Sequence, residues 1–421
     1  MKLHACALTL VTWFVGSFTC AAEAPRLPAP SGPYGIGRIA CDWTDSSRLD
    51  SLGPDPKRNR ELMVYLWYPI ARPSGEVHGV YLPGAKLIDV DPELGRNMRE
   101  GYGEIWPQIL SGAVYSHVVE NASVANGAKR FPVVIFSHGL GGSGFGYTAL
   151  IEAMVSNGYA VATVDHPGAA DVVVFPDGRL APMLHDAPPA DLTPAQRMQR
   201  MMDRVGKGID VGAADERFVL DRLAQENARD AKHFALAGRL DLNQVAVMGH
   251  SAGADFAARA CELESRFQAC VDLDGAMVPV AALPEYPDGK TIQHPLLYLE
   301  TPYDEAHMFG THEQHLAFFK KQEEQLSQCP RDSYDILLNP PGMTHGSFSD
   351  TFVLHAGNTP QQAAQALHNL ALTQSYILAF LDKNLRHMPA PLLDDPNATH
   401  PEATLQHLGS TPATTTPRKQ Q

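Results

Sequence analysis

The feature that most restricts the fold is a series of short, largely apolar runs that are continuous rather than alternating. They cover residues 63–70, 132–139, 159–168, 244–250, 268–274, 294–300 and 334–339, and are rich in valine and isoleucine. A strand with one face in water alternates apolar and polar side chains, so an uninterrupted run calls for burial on both faces. Helix-length stretches separate the runs and supply the cover, returning the chain by right-handed crossovers into a mostly parallel sheet. The pattern predicts one α/β domain with helices on both faces of a central sheet. Candidate helices span 147–157, 210–225, where Val219, Leu220 and Leu223 share a face, and 369–385.

Three segments fall outside this rhythm. Residues 1–22 carry one lysine, an apolar stretch from Ala5 to Phe18 and then small residues, the layout of a cleaved secretory signal. Cleavage after Ala22 would leave one α/β domain over 23–388, secreted or periplasmic. Residues 82–129 fit neither period and are read as an insertion, a candidate lid. Residues 389–421 turn to proline, threonine and glutamine and are read as a disordered tail. No later stretch reaches the roughly 18 apolar residues of a spanning helix.

The net charge of −14, from 33 basic and 47 acidic residues, argues against nucleic acid and leaves at most peripheral membrane contact. Four cysteines remain after cleavage, Cys41, Cys261, Cys270 and Cys329. In an oxidising compartment Cys261 and Cys270 are the nearest pair for a disulfide; buried free thiols are the alternative. No Cys/His zinc spacing occurs, so no metal and no cofactor is expected.

Chemistry concentrates at Gly249-His250-Ser251-Ala252-Gly253, where the run 244–250 meets a helix-competent segment. A G-x-S-x-G element between strand and helix holds the serine on a tight turn at the carboxyl end of the strand, where open α/β sheets bind ligands. The glycines leave room for a strained turn. An ordinary strand-to-helix turn containing a serine is the bland reading.

A serine hydroxyl needs a base for its proton and donors for the oxyanion that its attack creates. "FSHGLGGSGFGY", residues 136–147, follows a strand and offers glycine-freed amides, so Leu140 N–H and Ala252 N–H are the expected oxyanion donors. His138 reads as a loop-shaping residue, and the missing lysine rules out a phosphate loop of Walker type. Among histidines beyond the serine, His345 lies in a Pro/Gly loop after the last strand. His312 and His315 suit a solvated helix face, while His355, His368 and His387 lie too near the final helix or the tail. Asp274 and Asp304, each at a strand end, both remain open as the acid that orients the base.

Taken together, "LMVYLWYP", "FPVVIFSHGLGG", "GYAVATVDH", "VAVMGHSAG", "RFQACVDLDGAMVP" and "MTHGSFSD" resemble the platelet-activating-factor acetylhydrolase family of plasma and type II enzymes, within the lipase-like α/β-hydrolases. The resemblance runs from about Gly32 to Leu385. It implies an α/β-hydrolase fold, Ser251 as nucleophile, His345 as base, and Leu140 with Ala252 as oxyanion donors. It also selects Asp274 as the acid, through "LDGAM", and leaves Asp272 to support the turn.

Two departures bear on substrate. The family elbow reads G-H-S-F-G-G where this chain has Ala252 and Ala254, and the tryptophan after the acid is replaced by Gly275-Ala276. The expected partner is a small-molecule or lipid ester, with short or oxidised acyl groups implied by the resemblance. Rival readings are a polyester or aromatic-ester hydrolase of the same fold, a non-catalytic binding protein, and a metal-dependent lactonase using His307, His312 and His315.

Overall fold

The computed structural model describes residues 26–409, except positions 54, 56, 128, 184–190, 231, 276–291, 303–311, 357–358 and 396–397. The expected signal segment 1–22 therefore lies outside the described residues. The strands in chain order are β1 (Gly35–Leu49), β2 (Asn59–Ile70), β3 (Gly79–Val80), β4 (Tyr115–Ser116), β5 (Val118–Glu120), β6 (Phe131–Ser137) and β7 (Ala160–Asp165). They continue with β8 (Val172–Val174), β9 (Leu180–Pro182), β10 (Leu240–His250), β11 (Phe267–Leu273), β12 (Leu296–Glu300), β13 (Tyr334–Leu338) and β14 (Ala403–His407).

Ten of them form one sheet in the order β14, β13, β12, β11, β10, β6, β7, β2, β1, β5. The run from β7 through β6, β10, β11 and β12 to β13 is parallel, whereas β2 joins β1 and β7 antiparallel and β14 joins β13 antiparallel. This is the mostly parallel α/β sheet that the apolar runs imply, and it has the α/β-hydrolase architecture that the resemblance implies. β7 follows β6 on one side and β10 follows on the other, so the strand order reverses between β6 and β10. A crevice opens at the carboxyl ends of such a pair.

Why the runs are continuous is visible in the packing. Val134, Phe136, Ala246 and Met248 point to the face covered by Ile151 and Val155 of helix α4 (Thr148–Ser156) and by Tyr376 and Ile377 of the helix Pro360–Arg386. Their neighbours Val133, Ile135, Val245 and Val247 point to the face covered by Val219 and Leu223 of α5 (Pro194–Asn227) and Ala257 of α6 (Ala252–Leu263). Alternation sends successive side chains to opposite faces, and both faces are dry.

The segment 82–129 divides into two parts. Its first half forms α1 (Ala85–Val90), α2 (Pro92–Tyr102) and α3 (Trp106–Ser111), packed around the fully buried Trp106, whose indole N–H donates to Asp89 Oδ1 at 2.8 Å. Asp91 caps α2 through the amides of Glu93 and Leu94, and Pro92 supplies a preset first turn. Its second half returns to the main sheet, where β5 pairs in parallel with β1 through Ile36 and Val118.

The expected tail is partly structured. Residues 391–394 form a helical turn around the buried Leu393, and β14 adds to the sheet with Leu408 N–H donating to Ser333 O at 2.8 Å. Proline and threonine content suggested disorder because the open edge of β13, which orders this segment, cannot be read from local composition. Residues 410–421 lie outside the described residues.

Cys261 and Cys270 are joined in a disulfide that ties α6 to β11, and Cys41 and Cys329 are free thiols. No helix among the described residues is long and apolar enough to cross a membrane.

Candidate active site

Three loops meet over the crevice between β6 and β10. The first is the corner at Ser251, between the end of β10 and the start of α6. Ser251 has φ 54° and ψ −125°, a conformation costly for a side-chain-bearing residue. A Cβ on Gly249 would lie 2.1 Å from Gly253 O, and one on Gly253 would lie 2.4 Å from the carbonyl oxygens of Ser137 and His138. Glycine is therefore required at both positions for the corner to close. Ser251 N–H donates to Leu273 O at 3.0 Å, which fixes the corner to β11.

The second loop follows β6. Gly142 N–H closes a turn onto Gly139 O at 2.9 Å and Gly141, at φ 75°, donates to Ala169 O at 2.8 Å. A Cβ on Gly139 would stand 3.3 Å from Ser251 Cβ, so this turn lies directly against the serine. Leu140 is at its tip. The amides of Leu140 and Ala252 have no acceptor among the described residues, which leaves two N–H donors beside Ser251. His138, fully buried, has Nδ1 2.8 Å from Gly139 O, and burial lowers its pKa to about 3, consistent with a neutral loop-shaping ring.

The third loop carries His345, which opens a single 3₁₀ turn (His345–Phe348) after β13. Its Nδ1 is 2.9 Å from Asp274 Oδ2. Asp274 ends β11 at φ 52° and also accepts from Thr301 Oγ1 at 2.7 Å and from Thr301 N–H at 3.1 Å. A carboxylate so placed holds the proton on Nδ1 and leaves Nε2 with its lone pair. The His345 side chain is 54% exposed, open to the crevice and to solvent. Asp272, two residues before Asp274, accepts from Gly275 N–H at 2.7 Å and supports the turn.

Of the residues singled out from sequence, the structure thus gathers Asp274 with His345, and Ser251 with Leu140 and Ala252, around one crevice. Asp304 and His307 lie outside the described residues. His312 and His315 fall on the helix His312–Leu326, and His355 and His368 make surface contacts with Tyr102 O and Glu402. No cluster of three metal-ligating side chains occurs among the described residues.

Residues not singled out complete the surroundings. His250 Nδ1 lies 2.7 Å from Tyr147 Oη and its Nε2 lies 2.9 Å from His345 O. Asp350, buried, accepts from the amides of Thr148 and Ala149 at 2.7 and 3.0 Å. Below the glycine turn, Ser137 Oγ meets Glu216 Oε1 at 2.6 Å and His166 Nε2 at 2.9 Å, and His166 Nδ1 meets Asp215 Oδ2 at 2.9 Å. Burial would raise Asp215, but the Arg60 charge and the bonds from His166 and Arg60 outweigh it and hold the carboxyl low. Burial pushes Glu216 well up. Behind the same turn, Gly141, Gly142, Ser143, Phe145, Tyr102 and Asp165 line a cavity of about 70 Å³.

Residues 19–175 and 198–388 match the family described as platelet-activating factor acetylhydrolase, isoform II. The chain belongs to that family. A platelet-activating factor acetylhydrolase of Cavia porcellus is 24% identical over 90% of this chain and 84% of its own length. A Gallus gallus protein of the same name is 26% identical over 67% of each. Among solved structures, a ferulic acid esterase from Streptomyces cinnamoneus superposes with a TM-score of 0.66 at 28% identity, covering 91% of this chain and 99% of that one. Family and fold together make this member of the acetylhydrolase family a carboxylic ester hydrolase.

Proposed function

We propose that this protein is an exported serine esterase in which Ser251 is the nucleophile, His345 the base, Asp274 the acid, and the amides of Leu140 and Ala252 the oxyanion donors. The observation that carries this reading is the Asp274–His345 pair, whose imidazole packs against His250, the residue before the strained serine, with ring centroids 4.6 Å apart. Ser251 Oγ attacks the ester carbonyl while His345 Nε2 takes its proton. The tetrahedral oxyanion is held by the two amides, and collapse expels the alcohol, protonated by His345. Water then repeats the sequence on the acyl-enzyme and regenerates the serine. The apolar leader over residues 1–22 supports export.

Short or oxidatively shortened acyl esters are the substrates that family membership favours. Ala252 in place of the family's phenylalanine, and Gly275-Ala276 in place of its tryptophan, remove aromatic bulk near the serine. An aromatic ester is therefore the second reading, supported by the likeness to the ferulic acid esterase over nearly its full length.

Ser251→Ala tests the mechanism. Hydrolysis of p-nitrophenyl acetate by the purified variant should fall to background while its unfolding midpoint stays near that of the wild type. Turnover that survives would remove Ser251 from the reaction. Comparing p-nitrophenyl esters of graded chain length with methyl ferulate separates the two substrate readings by their kcat/KM ratio.

A further inference from the structure

We infer that Tyr147 and His250 are positioning residues, a buried hydrogen-bonded relay that sets the oxyanion turn, the serine corner and the base loop in one common frame. The inference rests on the assignment of Ser251, His345 and Leu140 made above.

The direction of every bond in the relay follows from chemistry. His345 O can only accept, so the proton of the His250 ring is on Nε2, 2.9 Å away. Burial, and then the neighbouring His345, lower the His250 pKa to about 3, so the ring is neutral and its Nδ1 carries a lone pair. The phenol of Tyr147, 2.7 Å from that nitrogen, must donate to it. The phenol oxygen then accepts Gly139 N–H at 3.2 Å. One chain of three bonds thus runs from the residue before Leu140, through the residue before Ser251, to the backbone of His345.

A second set of contacts holds the same frame. Tyr147 directly precedes α4, and the first amides of that helix, Thr148 and Ala149, are capped by Asp350, five residues beyond His345. The base loop is therefore tied to the segment 139–149 at both of its ends. The His250 ring also lies face-near the His345 ring, with centroids 4.6 Å apart, and touches Phe348 at 5.5 Å. A displaced His250 would carry the base with it, and displacements near 1 Å at a reacting group cost on the order of a hundredfold in rate.

Neither side chain touches the site of bond formation, so the relay must act through Gly139 and His345. Four proteins test it on p-nitrophenyl acetate: wild type, Tyr147→Phe, His250→Phe and the double variant, with unfolding midpoints measured in parallel. Tyr147→Phe should lower kcat about tenfold or more with KM within about twofold. If both residues act through the same chain, the double variant should be no slower than His250→Phe alone. His250→Gln, whose carboxamide can still donate to His345 O, should retain more activity than His250→Phe. An unchanged kcat in Tyr147→Phe, or losses that multiply in the double variant, would overturn the relay. Should His250→Phe fail to fold, the kcat and KM of Tyr147→Phe and of His250→Gln decide alone. Activity surviving in Ser251→Ala would instead defeat the underlying assignment, whatever the relay variants do.

Discussion

Asp274 and Asp165 are two carboxylates at strand ends with opposite fates. Asp274 accepts twice from Thr301 and once from His345, so its charge is satisfied and available to the imidazole. Asp274→Asn should lower kcat by about 10³–10⁴ by favouring the wrong tautomer of His345, and Thr301→Val should cost only a few-fold, as steady-state rates on one ester will show. Asp165 is buried with a single amide donor, Gly144 N–H at 2.9 Å, and burial pushes its carboxyl up to about 7. The folded chain therefore keeps a proton that the unfolded chain has released above pH ~4. Its contribution to stability must fall as pH rises from about 4 to about 7 and level off above that. Asp165→Asn should remove close to one proton from that slope, about 1.4 kcal/mol per pH unit, in urea unfolding across the range. The sequence exposed the Ser251 corner through its glycines and His345 through its Pro/Gly loop. Spacing alone left Asp274 and Asp304 open, because each follows an apolar run; the bond from His345 supports Asp274, and Asp304 lies outside the described residues. The bonds that join Tyr147 to His250 and His250 to His345 left no mark in the sequence, since partners 103 and 95 residues apart form no local pattern.

Elements explain why the corner can stay strained. The carbonyl oxygens of Ser137 and His138 press against Gly253, so β6 and α6 lock together at that point. Gly253→Ala should therefore lower the unfolding midpoint and the activity together, in contrast to Ser251→Ala. Beneath the corner, fully buried Arg60 of β2 joins fully buried Asp215 of α5 at 2.7 Å and the half-buried Asp50 at 2.6 Å. Arg60→Met would leave buried Asp215 with only Arg48 and His166 and would remove the Arg60 bond of half-buried Asp50, so a loss of about 3 kcal/mol in chemical denaturation is expected. The central strands were legible because valine and isoleucine runs admit few other solutions. β1 was not: its second half alternates Trp43 with polar neighbours and lacks the apolar density by which the others were found. The helices between them appeared as shorter pieces, since α5 runs over 34 residues, and among the described residues its buried apolar side chains run from Ile209 to Leu223.

Across the whole molecule, the reversal of strand order between β6 and β10 decides where chemistry can occur, and every residue assigned here to the reaction hangs from loops at that end of the sheet. The outer borders of the sheet have a different duty. One border is β5, three residues long; the other is β14, which pairs with β13 and carries Thr404, Gln406 and His407 toward its surroundings. Short or polar border strands discourage a second molecule from extending the sheet. Ending the chain at residue 398 would uncover Tyr334–Leu338, a nearly buried apolar strand, as a free ladder of amides and carbonyls. Such a shortened protein should retain its crevice yet self-associate, with light scattering rising with concentration well below the temperature at which it melts. The final strand thus serves as a guard against polymerisation, a service to solubility rendered far from the place where esters are cut.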